Sequence, residues 1–90
     1  MEEDKDIDKK FNKYINKVKK LENISDEDKL YLYAYFKQAN FGDNTNSKPF
    51  ILNRIDIAKW KAWNDVKGMT KEGSIDLYIK KVKELYKRFV

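Results

Sequence analysis

Cysteine and histidine are both absent from the 90 residues. Their absence removes disulfides, thiolate zinc sites, imidazole ligands and every Ser-His or Cys-His nucleophile pair. No catalytic residue and no metal ligand is therefore assigned, and no cofactor is expected. Turn formers are almost as scarce, with three glycines and one proline, whereas an all-β domain needs a turn about every 8–12 residues. The chain is expected to be all-α. No run approaches the roughly 20 apolar residues of a membrane span. The opening Met1-Glu2-Glu3-Asp4-Lys5-Asp6 also lacks the basic and apolar regions of a signal peptide. These absences lead us to expect a cytoplasmic protein without stable membrane insertion. Its length suits one domain, residues 1–90.

What the sequence has is charge and rings. Twenty basic side chains against 15 acidic ones leave a formal net charge of +5, which favours an anionic partner but also suits the wet faces of amphipathic helices. Six tyrosines, five phenylalanines and two tryptophans are more than so small a domain buries deeply. Some are expected to face a ligand.

Hydrophobic periodicity places four helices. Ile7, Phe11, Tyr14, Ile15, Val18 and Leu21 form one stripe. A second helix is expected to start at Ser25, which can cap it, with Asp26, Glu27 and Asp28 favourable against the helix dipole and Ser25-x-x-Asp28 forming a capping box. The run Leu30-Tyr31-Leu32-Tyr33-Ala34-Tyr35-Phe36 alternates like a strand, and the upstream cap decides for helix. Ile55, Ala58, Ala62, Trp63 and Val66 mark a third helix, ended by Lys67-Gly68, with Trp60 off the stripe beside Lys59. Thr70 can cap the fourth, whose stripe is Ile75, Tyr78, Ile79, Val82, Leu85, Tyr86 and Phe89.

Between the second and third helices runs a long loop from Gly42 to about Asn53. It is faintly calcium-like. Counted from Asp43, however, Lys48 stands where an EF-hand requires Gly and Arg54 where it requires Glu, which excludes calcium. Tyr33 and Lys37, one turn apart, put a phenol beside an ammonium, a pair suited to a phosphate. Phe36 offers a ring on which a base can stack. Lys59 and Tyr78 would add a second cation and phenol if their helices converge there.

The blocks Tyr33-x-x-x-Lys37-Gln38-Ala39, Gly42-Asp43-Asn44, Pro49, Ala58-Lys59-Trp60-Lys61-Ala62-Trp63-Asn64, Lys67-Gly68 and Tyr78-Ile79-x-x-Val82-x-x-Leu85 resemble the signature of the acyl-CoA-binding protein family. The likeness covers roughly Phe11 to Leu85. It implies a four-helix up-down-down-up bundle with the long loop between helices 2 and 3. It also implies a monomer that binds medium- to long-chain fatty acyl-CoA and acts as an intracellular carrier and buffer pool, without catalysis. Carried over by the resemblance, Tyr33, Lys37 and Lys59 hold the 3′-phosphate. Phe36 stands where the family commonly has a tyrosine against adenine, Tyr78 matches a CoA-contacting tyrosine, and Lys19 corresponds to a lysine that approaches the ligand from the first helix. Ile15, Ile24 and Leu30 fall near the acyl groove.

The chain departs from the family at several positions. Phe36 lacks the hydroxyl, Phe50 follows Pro49 where the family usually has Gly, Asp56-Ile57 replaces Gly-Lys, Ile55 cannot supply the cation some relatives carry there, and Lys29 stands where an apolar residue often lines the groove. The competing reading is a basic helical module that binds nucleic acid or an anionic membrane surface. Its lysines are spread over several helices among Asp and Glu, with no RNP-like, zinc-finger or helix-turn-helix signature, so no nucleic-acid partner is expected.

Overall fold

The computed structural model describes residues 2–50 and 53–89, with side chains for 6–50 and 53–88. Its helices are α1 (Glu2–Lys19), α2 (Asp26–Phe41), α3 (Arg54–Asn64) and α4 (Lys71–Phe89). No strand occurs among the described residues. The Phe89 side chain, last in the expected α4 stripe, lies outside them.

Local chemistry explains the helix boundaries. The Asp28 N–H donates to Ser25 Oγ at 3.1 Å, the cap expected from sequence. At the other end of α2, Gly42 sits at φ 76° and its N–H reaches back to the Gln38 carbonyl, a conformation that costs glycine little and other residues more. Asn53 caps α3 by accepting from the Ile55 and Asp56 N–H groups at 3.0 and 3.3 Å. Thr70 Oγ1 accepts from the Gly73 N–H at 3.0 Å and opens α4. The third helix ends at Asn64, earlier than Lys67-Gly68 suggests. Beyond it Val66, Lys67 and Met69 make three-residue turns back to Trp63, Asn64 and Val66, and Gly68 takes φ 89°.

Cross-helix contacts fix the directions. α1 packs on α4, and α2 packs on both α4 and α3. Asp8 pairs with Lys71 at 3.3 Å, the Phe11 ring meets Tyr78 edge-on at 5.2 Å, and Tyr86 Oη donates to the Lys17 carbonyl at 2.8 Å. Positions on α1 and α4 rise together, so these helices are parallel. Asp28 meets Lys81 and Arg88, whereas Gln38 Nε2 donates to the Met69 carbonyl just before α4, so α2 runs against α4. Tyr33 meets Lys59 and Lys37 meets Trp63, so α2 and α3 are parallel. The bundle is up-down-down-up.

The principal extents are 40 × 35 × 16 Å, and so flat a body seals few side chains completely. Val82 and Leu85 are sealed, at 0% exposure, within a core that also takes Phe11, Leu32, Ile75 and Ile79. Tyr31, Tyr33 and Tyr35 are half-buried.

Asp28 does more than answer the helix dipole. It is buried, and its carboxylate pairs with Lys81 at 3.1 Å and Arg88 at 3.0 Å. The Lys81 hydrogen bond is the largest influence holding its carboxyl below the ordinary 3.8, with burial acting in the opposite direction. A depressed folded-state value adds stability above the unfolded value, and that stability is lost as pH falls through the folded one. Asp28→Asn is therefore expected to destabilise the fold at neutral pH. The gap between its urea midpoint and that of the wild type should close below about pH 3.8. A gap independent of pH would remove the ion-pair explanation.

Candidate functional site

One face of α2 presents Tyr33 and Lys37 a turn apart, and parallel α3 presents Asp56, Lys59, Trp60 and Trp63 opposite them. Asn46, Ser47 and Pro49 of the long loop close a cleft of about 200 Å³. Side chain to backbone hydrogen bonds shape the loop. Trp63 Nε1 donates to the Gly42 carbonyl at 2.9 Å and Trp60 Nε1 to the Asn46 carbonyl at 2.7 Å. Buried Asn44 donates to the Trp60 carbonyl at 3.3 Å and accepts from the Asn46 N–H at 2.9 Å. Asp43 Oδ1 accepts from the Gly68 N–H at 2.8 Å and from Gln38 Nε2 at 2.7 Å, and these bonds hold its carboxyl below the usual carboxylate value. The loop is thus tied to α2, α3 and the turn before α4.

The two cations converge. Lys37 Nζ lies 4.6 Å from the Phe41 ring centroid, 5.3 Å from Trp63 and 5.8 Å from Tyr33. Lys59 Nζ lies 5.4 Å from the same Tyr33 ring. Neither forms an ion pair among the described residues. Ring faces attract ammonium groups without neutralising them, so both charges remain available to an anion. Burial first, and the Asp56 carboxylate second, push the Tyr33 phenol up, which keeps it protonated as a hydrogen-bond donor. Two ammonium groups and a phenol around one cleft suit a phosphate.

Lys59 also borders a second, apolar cleft of about 370 Å³, lined by Leu30, Ile55 and Ala58, with Asp26, Lys29 and Arg54 at its polar edge. A cleft carrying two ammonium groups therefore adjoins a largely hydrocarbon-lined one across the Lys59 side chain.

Of the residues singled out in the sequence, the structure brings Tyr33, Lys37 and Lys59 together and sets Leu30 in the apolar cleft. Phe36 and Tyr78 stand apart from both clefts. The half-buried Phe36 ring lies 6.2 Å from Phe11, which in turn meets Tyr78. Tyr78 is only 4% exposed, and burial pushes its phenol up to about 12. Lys19 is exposed at the end of α1. Ile15 and Ile24 pack half-buried against the core and line neither cleft.

Sequence reasoning gave no site role to Trp60, Trp63, Phe41, Asn46, Ser47 or Asp56. A signal existed for Trp60, which sits off the helical stripe beside Lys59, and for Phe41, one turn beyond Lys37. The loop residues carried no periodic signal.

The sequence model of the family described as acyl-CoA-binding protein matches residues 8–82. An acyl-CoA-binding protein homolog of Drosophila melanogaster is 42% identical over 84 residues, covering 92% of this chain and 98% of that protein. Acyl-CoA-binding domain-containing protein 3 of Oryza sativa subsp. japonica is 50% identical over 76 residues, 83% of this chain, but the match spans only 49% of the rice protein. The crystal structure of Oryza sativa acyl-CoA-binding protein 2 superposes with a TM-score of 0.87 at 42% identity, covering 92% of this chain and 93% of that one. Geometry, family match and structural likeness agree, and the chain belongs to the acyl-CoA-binding protein family.

Proposed function

We propose that this chain binds medium- to long-chain fatty acyl-CoA thioesters and serves as a cytoplasmic carrier and buffer pool for them, as a single-domain monomer and without catalysis. The observation that carries this reading is the convergence of Lys37 and Lys59 on Tyr33 beside the apolar cleft. Lys37 and Lys59 hold the 3′-phosphate, with the protonated Tyr33 phenol as a further donor. Phe36 offers its ring to the adenine, Tyr78 contributes from the same aromatic row, and Lys19 approaches from α1. Leu30 carries the tail, with Ile15 and Ile24 near its path.

The energetics suit such a ligand. Each methylene taken out of water is worth about 0.8 kcal/mol, so a long tail contributes on the order of 10 kcal/mol before the costs of association. The tail then dominates affinity and the phosphate contacts dominate selectivity. A carrier that must return its thioester intact has no use for a nucleophile, which agrees with a chain lacking both cysteine and histidine.

Calorimetry with palmitoyl-CoA tests the reading, with free CoA as the comparison. Binding tighter than micromolar is expected for palmitoyl-CoA and much weaker binding for free CoA. No heat, or micromolar or weaker binding of palmitoyl-CoA, would sink it.

A further inference from the structure

Leu30 borders two clefts. One is the 370 Å³ apolar cleft between α2 and α3 that also holds Ile55 and Ala58. The other, of about 260 Å³, opens on the opposite side of the α2–α3 seam. Tyr31, Ala34 and Tyr35 of α2, Ala62 of α3 and Val66 just beyond that helix line its apolar part, with Glu27 and the Asp28–Lys81 ion pair at its polar edge. Helix geometry explains the division. Successive residues turn by about 100°, so Lys29 and Tyr31 fall on opposite sides of Leu30.

Across the seam α3 offers methyl groups, with Ala58 on the first cleft and Ala62 on the second. Leu30 is therefore the bulky side chain between the two spaces, and it is only half-buried. A leucine so placed can change rotamer without disturbing the sealed core. The space behind it has an apolar floor of Ala34, Ala62 and Val66, beside the Tyr31 and Tyr35 rings, whose centroids are 4.9 Å apart.

We propose that this rear cleft is a second tail-binding site, which receives the ω end of saturated acyl chains too long for the front cleft, and that Leu30 is the movable partition between them. The proposal rests on the acyl-CoA reading. It follows from continuity, because a hydrocarbon chain filling the front cleft meets Leu30, and the apolar floor of Ala34, Ala62 and Val66 lies directly past it, with the charged groups confined to the edge. Each methylene accommodated there strengthens binding about fourfold, the ordinary value for hydrocarbon removed from water.

The test titrates lauroyl-, palmitoyl-, behenoyl- and lignoceroyl-CoA against the wild type and against Val66→Trp, which fills the rear cleft and leaves the front one intact. Ala62→Leu is a milder block should the tryptophan disturb folding. The expected result is unchanged affinity for lauroyl- and palmitoyl-CoA but a loss of tenfold or more for behenoyl- and lignoceroyl-CoA. In the wild type, an ω-labelled behenoyl methyl should show nuclear Overhauser contacts to the Ala62 methyl. Equal behenoyl-CoA affinity in wild type and both variants, or an ω methyl without contact to Ala62, would overturn the proposal while leaving the carrier reading intact. A wild type that fails to bind even palmitoyl-CoA would remove the carrier reading itself, and the proposal with it.

Discussion

Replacing Lys59 with alanine is expected to weaken palmitoyl-CoA binding by about 1.5–3 kcal/mol, the scale of a hydrogen bond to a charged group. That is roughly tenfold or more in Kd. The substitution is well suited to the question because Lys59 is exposed on α3, where alanine is a good helix former, so the fold should lose little beyond the single contact of its ammonium with the Tyr33 ring. Lys37→Ala should weaken binding on the same scale but also cost stability. Its ammonium lies over the Phe41 and Trp63 rings, and such contacts are worth about 0.5–1 kcal/mol at exposed sites. Calorimetry with a dephospho-CoA ester completes the comparison, because the wild-type advantage over Lys59→Ala should vanish when the 3′-phosphate is missing. An equal loss with both esters would show that Lys59 acts on some other part of the ligand.

Leu85→Ala is expected to produce the largest loss of stability, about 2–5 kcal/mol, from lost transfer energy and the cavity left behind. Leu85 is sealed at 0% exposure, and it lines none of the three clefts described above. A small domain holds only about 5–15 kcal/mol in total, so the urea midpoint should fall steeply. An unchanged slope would confirm that the native state, not the denatured ensemble, carries the change. Whatever fraction remains folded should bind palmitoyl-CoA with wild-type affinity. A loss below about 1 kcal/mol would mean that the surrounding side chains collapse onto the vacated space.

Elements governed by neighbours in sequence were legible. The α4 stripe from Ile75 to Tyr86, the Ser25 cap and the Thr70 cap depend on residues a few positions apart, and all three are present. Elements governed by distant partners were not. Three consecutive carboxylates fit a response to the helix dipole, yet Asp28 turns inward to Lys81 and Arg88 on α4. The end of α3 falls before Lys67-Gly68, because a cation and a glycine mark a stop without showing that the last turn has already tightened.

Ile55 shows the limit of hydrophobic periodicity. It keeps the α3 stripe, yet it is 65% exposed and borders the apolar cleft. An apolar repeat records that a face avoids water and is silent about whether protein or ligand covers it. Tyr33 and Lys37 were readable as a pair because one helix holds both, whereas Lys59 joins them only because α2 and α3 lie parallel. That direction depends on the long loop. Within the loop, exclusion of calcium left Asp43 without a role, and its carboxylate fastens Gly68 and Gln38 instead.

The parallel pairing of α1 with α4 bears on how the chain reaches this fold. The hydrogen bond from Tyr86 to Lys17 joins residues 69 positions apart, so the seam between first and last helices closes a loop of most of the chain. Bundles whose neighbouring helices follow one another keep their contacts local and fold fast, whereas distant pairing must meet a larger entropy of closure before any contact rewards it. The pairing of α2 with α3 draws on a shorter stretch of chain and escapes most of that delay. The topology therefore makes the α1–α4 seam the entropically demanding step of folding.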